Sequence, residues 1–337
     1  MAFRLFGAKT TIVDELIPRF PRRRHSRFID VFGGSGTIVN HKPPHKEEIF
    51  NDRHRDVFNV FEILRHRDER ERLYDQLNHV VYSRVLYERC GEILRRSVDR
   101  VERAFAFLFL QHVGYCGCTG SFCNDNRRRA RHQNLAPNLD RIRWRFQHVL
   151  IENLDWCELV AKYASYDTFG YFDPPYAPVT RTNEHVYRHE MSMGEHEAML
   201  RYLTTCEMPI MLSGYDCALY RDYLNHWRSF TVETRSFASY TRARRVEKVW
   251  MNYDKQGELL SGKGPREEEN DKPDTRPPGG WEWEVPSRDN ALAKCLSVAA
   301  QQIEGLPVPE DEEERAILRE AVEQLGDRLK TILLRIK

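Results

Sequence analysis

The sequence predicts a doubly wound α/β fold, and three observations carry that expectation. A short apolar strand, "FIDV" (residues 28–31), runs directly into a glycine turn, "FGGSGT" (32–37). A second strand, "EEIF", ends in Asn51 and Asp52, so an acid follows the first strand by about 20 residues, the nucleotide-binding spacing of open parallel sheets. A third apolar run, "TFGYF", stops at "DPPY" (Asp173–Tyr176). Proline has no N–H for a sheet ladder and fixes its own φ, so the strand must end there and hold something rigidly.

The intervening elements follow from periodicity. From Asp56 to Asp99 apolar residues recur at helical spacing, as in "VFNVFEILRHRDERERLYDQL". "VERAFAFLFLQHV" reads as a buried helix, and the residues after it as a loop rich in Gly, Asn and Arg. "HVLIEN" is a strand. "SMGE" (Ser192–Glu195) is a capping box opening a helix through "HEAMLRYLTTC". "PIMLSG" is a further strand, "CALYRDYLNHW" a helix, and "SFTVETRSF" and "VEKVWMNY" pair as a hairpin around a basic turn. After Tyr253 the composition shifts to Pro, Gly and charge, which marks a linker. The expected organisation is a core of residues 1–55 and 149–254, a helical insert over 56–148, a linker over 255–288 and a helical tail over 289–337.

Composition narrows the class. The 337 residues carry a net charge of +1, which names no partner by itself. The distribution is more telling: arginine crowds "NRRRARHQ" (126–133) and "YTRARR" (240–245), and acid crowds the tail, which suggests a core that faces a polyanion. Eight cysteines fall without a framework spacing, and no apolar run approaches the roughly 20 residues of a membrane span. A cytoplasmic protein with reduced thiols and no membrane partner is expected. The "CGC" stretch near His112 matches no common zinc spacing, and no metal is expected.

The three strand-end motifs share one edge of the sheet, where ligands of such folds bind. Asp173 and the Pro174 carbonyl are two acceptors held in relative position by the rings of Pro174 and Pro175, a geometry suited to the two hydrogens of an NH₂ group. Tyr176 offers a flat face to a planar base. The implied substrate is an exocyclic amine on an aromatic ring, reached by base flipping.

On these residues the chain resembles the DNA N6-adenine methyltransferases in which cofactor motifs precede DPPY, the group that includes GATC-methylating enzymes. The resemblance runs over residues 3–253. "RLFGAK" is similar to the N-terminal W-x-G-G-K motif, with Leu5 at the tryptophan and Ala8 at a glycine. "DVFGGSG" resembles the F-x-G-x-G turn, "FND" the ribose-binding strand end, and "RRVEKVWMNY" the closing strand. "FLQHVGYCGCTGSFCNDN" resembles the DNA-recognition segment, with Cys116 where asparagine usually follows Tyr115.

The resemblance implies S-adenosylmethionine as methyl donor, with Leu5, Asp30, Phe32, Gly34 and Gly36 shaping its pocket. Lys9 would meet the methionine carboxylate, Asp52 the ribose and Asp155 the adenine, beside Asp173. It implies a double-stranded DNA partner, contacted by Tyr115, Arg127, Arg128, Arg129 and Arg131 of the insert and by Tyr240 and Arg242 of the basic turn. A cognate restriction endonuclease is a further expected partner, in a bacterial, archaeal or phage-infected cell. The same chemistry on RNA adenine is the nearest alternative; a DNA-binding protein that keeps the fold without turnover is the other.

In the tail, Leu318, Val322, Leu325, Leu329, Ile332 and Ile336 alternate by four and three, a heptad stripe. Docking of that helix within a monomer is expected, with dimerisation through it as the alternative.

Overall fold

The computed structural model describes residues 9–23, 25–114, 135–180, 190–235, 244–254 and 256–260. Its centre is a seven-stranded sheet: β1 (Arg27–Asp30), β2 (Glu47–Asn51), β3 (Val149–Glu152), β4 (Thr168–Phe172), β5 (Ile210–Gly214), β6 (Arg228–Arg235) and β7 (Arg244–Met251). The strand order is β3-β2-β1-β4-β5-β7-β6. The first five are mutually parallel, and β7 runs antiparallel between β5 and β6. The expected doubly wound sheet and its closing hairpin are both present. The hairpin is not a plain addition at the edge, because its second strand inserts next to β5.

The apolar runs were legible as strands because a parallel sheet is covered on both faces, so neighbouring residues are both buried. Phe28, Phe50 and Tyr171 enter one core; Ile29, Ile49 and Phe172, each one residue away, enter the other. Ten α-helices among the described residues supply the two covers. On the first face lie α1 (Val13–Leu16), α2 (Thr37–His41), α3 (Arg55–Arg65), α4 (Arg67–Asn78), α5 (Arg84–Arg96), α6 (Arg100–Val113) and α7 (Leu135–Arg145). On the second lie α8 (Trp156–Tyr163), α9 (Met193–Leu203) and α10 (Ala218–Leu224).

Local chemistry starts these helices. Asp99 accepts from the backbone N–H groups of Val101 and Glu102 to open α6, and Ser83 accepts from Leu86 to open α5. Ser192 and Glu195 form the expected capping box at α9. A second box, Asp155 with Glu158, opens α8.

The helices between residues 55 and 145 share the core of the sheet. Phe61 of α3 and Phe146 just after α7 close on Phe50 of β2, with ring centroids 4.4 and 5.4 Å from it and 4.8 Å from each other. Burying a phenylalanine contributes about 1.5–3 kcal/mol. This aromatic triad lies directly beneath the glycine turn.

Candidate active site

Register brings the three motifs together. Asp30 ends β1 opposite Phe50 of β2 on one side and Tyr171 of β4 on the other. The residues that follow, Val31–Gly36, Asn51–Asp52 and Asp173–Pro175, therefore emerge side by side at the carboxyl ends of three adjacent strands. All of these but Gly36 line one cavity with Trp156 and Leu154.

The glycine turn is shaped from below as much as from above. A Cβ on Gly33 would stand 2.1 Å from the Phe50 ring, and one on Gly36 would stand 2.8 Å from Phe146. Gly34 and Gly36 also adopt φ values of 55° and 70°, where a side chain is strained. So Gly36 is turned towards the aromatic triad, while Phe32 and Gly34 line the cavity. The turn in turn orients Asp52. Gly34 N–H donates to Oδ2 at 2.8 Å and His54 N–H to Oδ1 at 2.7 Å. Burial pushes the Asp52 carboxyl up to about 6, against those two hydrogen bonds.

Asn51, the neighbour of Asp52, ties the strand ends to one another. Its Nδ2 donates to the carbonyls of Val31 and Leu154, and its Oδ1 accepts from Leu154 N–H at 2.8 Å. Asp155 caps α8 and pairs with Arg53 at 3.1 Å on the rim of the cavity.

Asp30 is the outlier. It is 1% exposed, and neither carboxyl oxygen has a hydrogen-bond partner. Burial raises its pKa well above the usual carboxylate range, helped by the charges of Asp173 and Asp52. A buried polar group in that state costs stability unless something else meets it.

Beyond β4 the chain delivers Asp173. Lys9 Nζ lies 2.9 Å from its Oδ1, and Ser213 Oγ of β5 donates to the same oxygen at 2.9 Å. Lys9 also donates to Glu247 of β7 at 3.0 Å and to the Tyr176 hydroxyl. The three protons of its ammonium are thus engaged by protein groups. Burial works against that charge, yet Asp173, Tyr176 and Glu247 outweigh it and raise the Lys9 pKa well above its usual value. Asp173 itself is pushed up to about 6 by burial, with Lys9 opposing and Glu247 assisting. Tyr176 is buried, its ring 4.4 Å from that of Tyr215.

Of the other residues singled out in the sequence, Leu5, Tyr115, Arg127, Arg128, Arg129, Arg131, Tyr240 and Arg242 lie outside the described residues, as does the tail. Among the described residues no group of three or more His, Cys, Asp or Glu is arranged to hold a metal, and no helix is long and apolar enough to cross a membrane.

Residues 6–238 match the family of D12 class N6 adenine-specific DNA methyltransferases. The chain belongs to that family. It is an adenine-specific DNA methyltransferase, a transferase, as the motif order led one to expect. The DNA adenine methylase of Serratia marcescens is 24% identical over 255 residues, covering 68% of this chain and 88% of that protein. Among solved structures, the rRNA methyltransferase AviRa of Streptomyces viridochromogenes is similar over 72% of this chain and 82% of its own, at 11% identity and a TM-score of 0.31.

Proposed function

We propose that the protein transfers a methyl group from S-adenosylmethionine to N6 of an adenine flipped out of a specific duplex DNA sequence. One observation carries this reading: Asp30, Asp52 and Asp173, from three different strand ends, face one cavity beside the rigid Pro174–Pro175 pair.

The cavity suits the cofactor chemically. Its wall has six acidic side chains, Asp30, Asp52, Asp155, Asp173, Glu190 and Glu195, against Lys9 and Arg53, which are both paired. That excess of acid favours a ligand with cationic groups. The orphaned oxygens of Asp30 would accept from an amino group. Asp52, steadied by Gly34 and His54, would hold two ribose hydroxyls. Trp156 and Leu154 supply apolar wall for a nucleobase. When bound, S-adenosylmethionine supplies a methyl group made electrophilic by its positive sulfur.

The protein's own part is orientation and charge. Asp173 and the Pro174 carbonyl accept the two hydrogens of the adenine amine, which turns its lone pair to the methyl side. As the N–C bond forms, the methyl–sulfur bond would break with its electron pair going to a neutral thioether, and one N–H proton must leave. Asp173, at about 6, is a suitable acceptor near neutral pH.

The test is tritiated methyl transfer to duplex DNA and to an RNA of the same sequence, by the wild type and Asp173→Ala. Label in N6-methyladenine of the duplex, lost in the variant while calorimetry shows cofactor affinity retained, is the expected result. Label in the RNA alone would move the substrate class, and turnover by Asp173→Ala would remove that residue from catalysis.

A further inference from the structure

We propose that Asp173 works through one oxygen: Lys9 and Ser213 hold Oδ1, leaving Oδ2 to accept the target amine, with Ser213 and Glu247 as positioning residues. This rests on the reading of Asp173 as the catalytic acceptor.

The two donors converge from distant parts of the chain. Lys9 belongs to the short turn before α1, and Ser213 to β5; both reach Oδ1 at 2.9 Å. Among the described residues, no hydrogen bond is made to Oδ2, although the side chain lines the cavity. The Ser213 hydroxyl, fully buried, has one proton. Spent on Asp173 rather than on the more distant Phe172 carbonyl at 3.4 Å, it leaves a lone pair for the Tyr171 hydroxyl 3.0 Å away. Burial first, then the Asp173 charge, raises the Tyr171 pKa well above its usual value, so that hydroxyl stays a donor. The chain Tyr171–Ser213–Asp173 therefore has one polarity.

Glu247 secures the other donor. β7 is antiparallel to β5, with Gly214 opposite Lys248, so Glu247 lies just past the carboxyl end of β5. There it holds Lys9 at 3.0 Å. Its negative charge also offsets part of the Lys9 charge that Asp173 feels. The other ionisable groups around Asp173 are Tyr176 on its own loop, Asp30 at the end of β1, Tyr171 of β4 and Tyr220 of α10.

An amide at position 173 removes the proton acceptor and also fixes which atom faces the amine. Retained turnover is therefore its decisive outcome, and the opposite limb shifts of Ser213→Ala and Glu247→Gln carry the positive test. Lys9 can only donate, so in Asp173→Asn the amide oxygen must take the Oδ1 position. The NH₂ then faces the target amine, donor against donor. Single-turnover methyl transfer at saturating cofactor and DNA is measured for Asp173→Asn, Asp173→Ala, Ser213→Ala and Glu247→Gln across pH 5–9.

Asp173→Asn should be as inactive as Asp173→Ala. Ser213→Ala should lose roughly ten- to a hundredfold in rate, the value of one hydrogen bond to a charged group, with cofactor affinity unchanged. Its acid limb should move up, because a donor that favoured the carboxylate is gone. Glu247→Gln keeps an acceptor for Lys9 but removes a charge, so its acid limb should move down. Opposite shifts are not a consequence of loosened packing.

If Asp173→Asn retains turnover while Asp173→Ala does not, either oxygen serves and the one-oxygen arrangement is overturned. The same follows if the limbs stay in place or move together. Turnover by Asp173→Ala instead defeats the underlying assignment. Should Ser213→Ala not fold, Asp173→Asn and Glu247→Gln decide the matter, since both preserve side-chain shape.

Discussion

The backbone N–H of Gly34 donates to Asp52 Oδ2 at 2.8 Å, so the glycine turn and the acid of the next strand form one unit. The turn's conformation fixes where the carboxylate points. Asp52→Ala should therefore weaken cofactor binding well before it affects the rate at saturating cofactor. The wild type should show a matching pH dependence. Burial raises the Asp52 pKa to about 6, and a protonated carboxyl accepts less well from two hydroxyls. Affinity for S-adenosylmethionine should fall as pH drops through about 6, and that decline should be blunted in Asp52→Ala. Calorimetric titration from pH 5 to 8 measures both, and equal affinities for the two proteins would remove Asp52 from the cofactor site.

Gly33 answers to the core rather than to the ligand. A methyl group there would meet the Phe50 ring at 2.1 Å, and that ring is locked against Phe61 and Phe146. Gly33→Ala should cost about 1–3 kcal/mol through overpacking and weaken cofactor binding by shifting Gly34. Adding Phe50→Leu should recover part of both losses. Denaturant melts of the single and double variants test this, and additive effects would show that the two positions are not in contact.

Asp30 predicts a conflict between stability and function. Its folded-state pKa is raised, so its contribution to stability is full below the unfolded value of about 3.9. That contribution is lost as pH rises through the folded value. Asp52 and Asp173, each at about 6, act in the same direction. Asp30→Asn removes one of these three titrations. Its melting temperature should fall less steeply than that of the wild type between pH 5 and 8, while its cofactor affinity drops. Parallel melting curves would mean that Asp30 is ionised in the folded protein as it is in the unfolded chain, so that its pKa is not raised.

What could be read from the sequence was what local chemistry writes down. Gly34, Gly36 and the Pro174–Pro175 pair punctuate strand ends, and Ser192 with Glu195 signs a helix start. The acid at Asp52 followed from its spacing to the turn. The group around Asp173 could not be read that way. "VEKVWMNY" announces a hairpin strand, but nothing in it says that β7 slots in beside β5, which alone brings Glu247 to Lys9. Ser213 looked like any small residue at a strand end. Lys9, expected at a cofactor carboxylate, has its protons engaged by Asp173, Glu247 and Tyr176, a fact of three-dimensional proximity. Asp155 was a missed local signal: "DWCE" has the spacing of a capping box, and it forms one.

Three consecutive arginines give the last prediction. Arg127, Arg128 and Arg129 follow "CNDN" in a segment rich in donors, within the family match. Charge without a fixed partner motif suits phosphate rather than base edges, because phosphates repeat along any duplex. Neutralising all three to glutamine should therefore weaken binding to every duplex by a similar factor. The dependence of log affinity on log salt should flatten by up to about 2.7, at roughly 0.9 per phosphate. Binding titrations with a preferred and an unrelated duplex, at several salt concentrations, separate the two roles. Loss confined to the preferred duplex, with an unchanged salt slope, would make these arginines readers of bases instead.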